Sequence, residues 1–190
     1  MREETVDNIL SVGAELIFES GYNGVGLTKI LETANIPKGS FYYYFKSKED
    51  FGLKVIEFFT RQNVDFLKTF LDNRDVTPKR RIFNLFQAVM KIYQDQEYGK
   101  GCLLGNSSLE LGGYKDVFAE TISNGFNAME LVFEQTIVEG QEQGDIKTEY
   151  SAKEYAAFIL NSWEGALVRM KSTRDDQPMN LFIQFIEKLL

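Results

Sequence analysis

Apolar positions recur at helical spacing from the start of the chain. In TVDNILSVGAELIFESGY, the residues Val6, Ile9, Leu10, Gly13, Leu16 and Ile17 fall on one stripe. Gly21 then provides a C-terminal stop, and YNGVGL follows as a glycine-bearing turn. Thr28 is expected to N-cap a short helix, TKILETAN. That helix ends at Asn35-Ile36-Pro37, because the residue before a proline avoids the α region. A third short helix carries KGSFYYYF. Ser47, with Asp50 three positions on, makes a capping-box-like start for the long helix KEDFGLKVIEFFTRQNVDFLKTFLDN. Further helices are expected at about 77–95, 103–111, 116–143, 151–172 and 179–190. The joints between them read DQEYGKG, GGYKD, EQGDIKTEY and STRDDQP. The prolines, at 37, 78 and 178, sit where a helix should begin or a loop end. Strand alternation, internal repeats and low-complexity tracts are absent from this pattern, so the expected fold class is all-α.

Three short helices within the first 46 residues, with a tight turn between the second and third, form a helix-turn-helix arrangement. In such a unit the third helix enters the major groove of DNA. Helix geometry sorts the aromatics of KGSFYYYF. With Phe41 facing inward, Phe45 shares its face four residues on. Tyr44 lies about 60° to one side, on the flank of the core. Gly39 and Tyr43 point outward, with Ser40 and Tyr42 on the shoulders. Tyrosine hydroxyls bond phosphate oxygens, and tyrosine rings pack on thymine methyls or sugars. A glycine at 39 leaves room for close backbone approach. Lys38 and Lys48 bracket the segment, and the helix N-terminus at Thr28 and Lys29 offers N–H groups to a phosphate. A three-helix core with a solvated aromatic face, or one that meets another protein, is the competing interpretation.

Composition narrows the picture. The chain has 190 residues, 44 % apolar and 26 % charged, which allows one domain or a small domain joined to a larger one. The net charge of −7 argues against bulk polyanion binding, but local charge runs the other way. From Lys29 to Lys48 the charged residues are Lys29, Lys38, Lys46 and Lys48 against Glu32. There is no histidine and one cysteine, Cys102. This excludes an internal disulfide, multi-cysteine zinc sites, and Ser-His or Cys-His nucleophiles. No metal or cofactor is implied. Glu110, Glu164 and Lys171 remain as acid–base groups, but no spacing among them supports a particular reaction, so an enzyme is not expected. No apolar run approaches the roughly 18 residues of a membrane span, and the N-terminus lacks a signal-peptide core, so a cytoplasmic location is the default.

The string LTKILETANIPKGSFYYYFKSKEDF resembles the N-terminal signature of the TetR family of bacterial transcriptional regulators, and the preceding IFESGYNGVGL is similar to that family's first-helix exit and turn. The resemblance covers about the first 55 residues. It implies an all-helical homodimer of roughly nine helices per subunit, with a DNA-binding domain at residues 1–47. Residues 48–190 would then supply ligand sensing and dimerisation. By position it implies that Thr28 and Lys29 contact phosphate and that Lys38, Gly39, Ser40, Tyr42 and Tyr43 approach operator DNA. Lys48 would clamp a phosphate. Tyr43 replaces the histidine many relatives carry there, which leaves base preference open.

The later segment is rich in aromatics at core spacing, Phe86, Phe133 and Trp163 among them. Packing is the ordinary role for each. A helical bundle also places ligand pockets between facing helices, and the resemblance implies an effector there, so Phe86, Met90 and Trp163 are candidate lining residues. The pair YAAFILNSWEGALVRMK and MNLFIQFIEKLL carries Ala156, Ala157, Gly165 and Ala166, which permit close helix approach. The pair resembles the helices of the family's dimer interface. In YGKGCLLGNSSLELGG, Cys102 and Asn106 are four apart on an expected short helix. This stretch is similar to that of a TetR subgroup which includes repressors sensing reactive electrophiles. A thiolate at a helix N-terminus, near Lys100, would be nucleophilic, and its oxidation or alkylation would shift the bundle and release DNA. A small buried hydrophobe is the other reading of Cys102.

Overall fold

The computed structural model describes residues 2–190, the side chains of Arg2, Glu3 and Lys38 excepted. Every regular element among them is helical. In chain order these are α1 (Arg2–Gly24), α2 (Leu27–Thr33), a 3-10 turn (Lys38–Ser40), α3 (Phe41–Tyr44) and α4 (Lys48–Leu71). Then follow α5 (Pro78–Asp95), α6 (Leu103–Leu111), α7 (Asp116–Glu142), α8 (Ala152–Thr173) and α9 (Gln177–Leu189). The all-α class is as expected, and the limits of the last five helices lie within two residues of the predicted ones. No helix of the described residues is long and apolar enough to cross a membrane.

The chain divides into two compact units, neither continuous in sequence. Unit 1 joins Met1–Gln62 to Leu103–Phe126, and unit 2 joins Asn63–Cys102 to Asn127–Leu190. A boundary at residue 47 therefore falls inside unit 1.

In unit 1 the N-terminal stripe does what its period predicts. Ile9, Leu10, Ala14, Leu16 and Ile17 are buried. Gly13 lies on the ring of Phe51, where a Cβ would come within 2.3 Å of the ring's Cζ. Phe51 closes a ring cluster with Phe41 and Phe45, with centroids 5.8 Å and 5.1 Å away. These three rings fix the 3-10 turn and α3 to the rest of the unit. The backbone of α1 breaks at Gly21, with φ 71° and ψ 162°, so the predicted stop is a kink with a helical turn beyond it. Ser47 caps α4 by accepting the Asp50 N–H at 3.0 Å. Asp50 answers on Lys46, whose N–H it accepts at 2.8 Å, one residue earlier than a standard box. One expectation fails here. Thr28 does not cap α2, because the helix already starts at Leu27 from an extended Gly26.

Unit 2 is built around α5, α8 and α9. Ser151 and Glu154 form a complete capping box at the start of α8. Ile82, Leu85 and Phe86 of α5 are buried, as are Ile159, Leu160, Trp163 and Leu167 of α8 and Met179, Phe182 and Ile186 of α9. A charged cluster sits beside this apolar core. Arg81 is 2 % exposed. Its guanidinium donates to both oxygens of Glu139, at 2.8 Å and 3.0 Å, and to the carbonyls of Val76 and Leu71. Arg74 pairs with the same carboxylate.

Candidate functional site

The segment 38–48 presents two layers. Phe41 and Phe45 are each 1 % exposed, while Tyr42 is 69 % and Tyr43 64 % exposed. Tyr44 is half-buried at the seam, its ring 5.0 Å from Tyr43 and 6.3 Å from Phe45. The helical element is shorter than a single eight-residue helix. A 3-10 turn supplies Lys38, Gly39 and Ser40, and only Phe41–Tyr44 are α-helical before Phe45 turns extended. A Cβ on Gly39 would meet nothing within 4 Å, so the space it leaves open faces outward. Thr28 and Lys29 are exposed in the first turn of α2, and Ser40 is half-buried. The side chain of Lys38 lies outside the described residues. Lys48 opens α4, half-buried, with its ammonium 4.7 Å from the centroid of the Tyr22 ring. Its aliphatic stem and charge thus have a cation–π seat within unit 1 as well as access to solvent.

Two oxygens of Glu110, on the last turn of α6, hold the start of this arrangement. They accept the backbone N–H of Tyr22 at 2.9 Å and of Asn23 at 2.8 Å, just past the Gly21 kink. The Tyr22 ring packs edge-on against Phe118, 5.3 Å away, and burial pushes its hydroxyl pKa above the ordinary value.

Among the candidate sensor residues, Phe86 and Trp163 share an aromatic cluster in unit 2, while Asn106 falls outside that unit. Phe86 lies 4.9 Å from Trp163, 4.8 Å from Phe182 and 5.8 Å from Phe133. Tyr93 meets Trp163 at 6.3 Å. Cys102 is buried, and its thiol donates toward the carboxylate of Glu164, which follows Trp163 on α8. Burial lifts the Glu164 pKa to about 7, partly offset by that bond. Its Oε1 is buried without a hydrogen-bond partner. Burial also raises the Tyr93 hydroxyl, with Cys102 and Glu164 adding to it. Met90 is half-buried one turn along α5 from Phe86. Asn106 is half-buried on α6, which belongs to unit 1. α6 begins at Leu103, so Cys102 stands one residue before the helix that carries Asn106.

Along α8 and α9 a row of apolar side chains points away from the unit's own core. Phe158 is 54 %, Leu181 54 % and Phe185 67 % exposed. With Gly165, Ala166 and Phe182 they line a groove of about 580 Å³. Ala156, expected to ease helix approach, is buried completely, whereas Gly165 opens onto the groove.

Glu110 and Glu164 were visible in the sequence only as acid–base groups. Nothing local marks Glu110 as a partner of amides 87 and 88 positions away. For Glu164 a signal was present: it is the one charged residue between Tyr155 and Val168, beside Trp163.

Comparison with known proteins adds the following. Residues 9–53 match the model for "Bacterial regulatory proteins, tetR family", and residues 78–186 match "Tetracyclin repressor-like, C-terminal domain". The chain is similar to the HTH-type transcriptional repressor DhaR of Mycobacterium sp. (strain GP1), 34 % identical over 183 residues, covering 96 % of this chain and 90 % of that protein. It is 25 % identical over 187 residues to the HTH-type transcriptional repressor NemR of Escherichia coli (strain K12), covering 98 % and 94 %. The crystal structure of a regulatory protein TetR from Rhodobacter sphaeroides superposes with a TM-score of 0.88 at 28 % identity, over 95 % of this chain and 96 % of that one.

Proposed function

The chain belongs to the TetR family of bacterial transcriptional regulators, and from that premise we propose that it is a homodimeric repressor released from its operator by a small-molecule effector. The observation that carries this reading is the division of one short aromatic segment. Phe41 and Phe45 are spent on the core, while Tyr42 and Tyr43 stand in solvent beside an open Gly39. Such a face is set for a groove and its phosphates. Thr28, Lys29, Lys38 and Lys48 supply the phosphate side, and Ser40 joins the base-facing group. Residues 1–47 form the DNA-binding part and 48–190 the sensing and dimerising part. The exposed apolar row on α8 and α9 is the face for a second copy, and two-fold pairing sets two reading segments on two half-sites. The protein acts in the cytoplasm by binding, not catalysis.

The test is selection of a duplex from a randomised pool, followed by footprinting. A palindromic site is expected. Replacing Tyr42 and Lys48 together by alanine should reduce occupancy by at least about 100-fold, since a base-facing group and a phosphate contact each contribute on the order of 1–3 kcal/mol. Undiminished protection by the double variant would refute the assignment.

A second reading concerns the signal. On this reading the trigger is alkylation of Cys102, whose neighbour, the half-buried Glu164, can take the thiol proton in its ionised form. The sulfur would add to an electrophilic carbon such as the β-carbon of an enone, with the thiol proton passing to Glu164 and then to the α-carbon. Treatment with N-ethylmaleimide is expected to release the selected duplex from wild type but not from Cys102→Ser. Equal release from both would leave reversible ligand binding in the Phe86, Met90 and Trp163 region as the signal.

A further inference from the structure

We propose that Glu110 is a positioning residue for DNA binding: through its grip on the α1–α2 connector, α6 sets where the first turn of α2 meets the phosphate backbone. This rests on the DNA-binding reading above and goes beyond it, since Glu110 acts through the backbone amides it holds. The geometry is specific. Past the kink at Gly21 the regular ladder of α1 is interrupted, and the next two amides turn to a side chain. One carboxylate takes both, one oxygen each, in the charge-assisted form that is shortest and strongest. Gly21 suits this approach, because its φ of 71° and ψ of 162° are strained for any L side chain, and a Cβ there would also lie 2.9 Å from a carboxylate oxygen of Glu110. Tyr22, whose Cα lies between the two gripped amides, is wedged against Phe118 and under the Lys48 ammonium, while Gly52 makes room for its ring. From Asn23 the chain runs through Gly24 and Val25 to Gly26, whose carbonyl accepts the Ile30 N–H to start α2. Thr28 and Lys29 sit on that first turn.

α6 thereby controls the entry of α2 through the connector. Three features follow. Loss of the grip weakens phosphate contacts, not base contacts. The loss shows as a smaller salt dependence, because fewer counterions are released on binding. It also vanishes when the phosphate-contacting residue is already gone.

The experiment measures the affinity of full-length protein for the duplex selected by wild type, as a function of salt, for Glu110→Ala, Glu110→Gln, Lys29→Ala and the Glu110→Ala/Lys29→Ala double variant. Glu110→Ala is expected to bind about 10-fold more weakly, with the salt slope reduced by about one phosphate contact per subunit. Glu110→Gln keeps one carbonyl oxygen for one amide, so it should fall between wild type and alanine, and it serves as the reading should the alanine variant fail to fold. The double variant should bind no more weakly than Lys29→Ala. Wild-type affinity and slope in Glu110→Gln, or losses from Glu110→Ala and Lys29→Ala that simply add, would overturn the positioning role while leaving DNA binding intact. Failure of wild type to enrich any duplex would remove both.

Discussion

Glu139→Ala is expected to destabilise unit 2 by about 3–5 kcal/mol. The reason lies with the partner left behind. Arg81 keeps its charge at all accessible pH, although burial lowers its pKa and the neighbouring Arg74 charge lowers it further. Its guanidinium is anchored by the Val76 and Leu71 carbonyls, so it cannot swing out to water without breaking those bonds. Removing Glu139 strands a positive charge inside, with Arg74 as an added repulsion. A domain's whole stability is only about 5–15 kcal/mol, so the urea midpoint should fall by a large fraction of its value. Replacing the pair together, as Arg81→Met with Glu139→Leu, should recover most of the loss, because an apolar pair carries no desolvation cost. A midpoint within about 0.5 kcal/mol of wild type for Glu139→Ala would mean that the guanidinium reaches solvent or another anion.

The second large effect is a pH dependence at Glu164. Its pKa rises from 4.5 to about 7 on folding, because burial disfavours the ionised form. The folded state therefore binds the proton more tightly than the unfolded chain. Its contribution is fully present below pH 4.5, declines as pH rises, and is lost above about pH 7. The gap corresponds to about 3 kcal/mol between the two limits. Glu164→Gln keeps the shape and removes the titration. It is expected to match wild type in urea unfolding at pH 4.5 and to exceed it at pH 8 by up to that amount. If wild type and variant show parallel midpoints across this range, another group carries the pH dependence. The unpartnered Oε1 points the same way, since a buried oxygen with no donor is costliest when charged.

Periodicity alone was enough to place the helices, and the inward–outward division of Phe41, Phe45, Tyr42 and Tyr43 follows from helix geometry without any tertiary knowledge. The capping of α4 by Ser47 was equally legible, because its partner lies three residues away. What escaped was set by distant partners or by fine backbone shape. Thr28 has a capping side chain, yet an extended Gly26 starts the helix earlier. The aromatic segment reads as one helix, but its first turn tightens into a 3-10 turn. The grip of Glu110 on Tyr22 and Asn23, and the pairing of Arg81 with Glu139, join residues far apart in the chain. No local pattern encodes either, although the charge of Arg81 on the apolar face of α5 marks a polar side chain that needs a buried partner.

The brevity of α3 has a consequence for genome searching. Four α-helical residues rise about 6 Å, and the three residues of the preceding turn add a further 6 Å or so. At 3.4 Å per step, that length spans roughly three or four base pairs. A word of that size recurs by chance about once per 64 to 256 base pairs, far too often to address one promoter among the millions of competing sites in a genome. On the proposed dimeric reading, most of the selectivity then comes from coincidence, with two such words at a fixed spacing and orientation recognised together. A regulator of this kind is addressed less by its letters than by its punctuation, so changing the gap between half-sites should matter as much as changing a base within one.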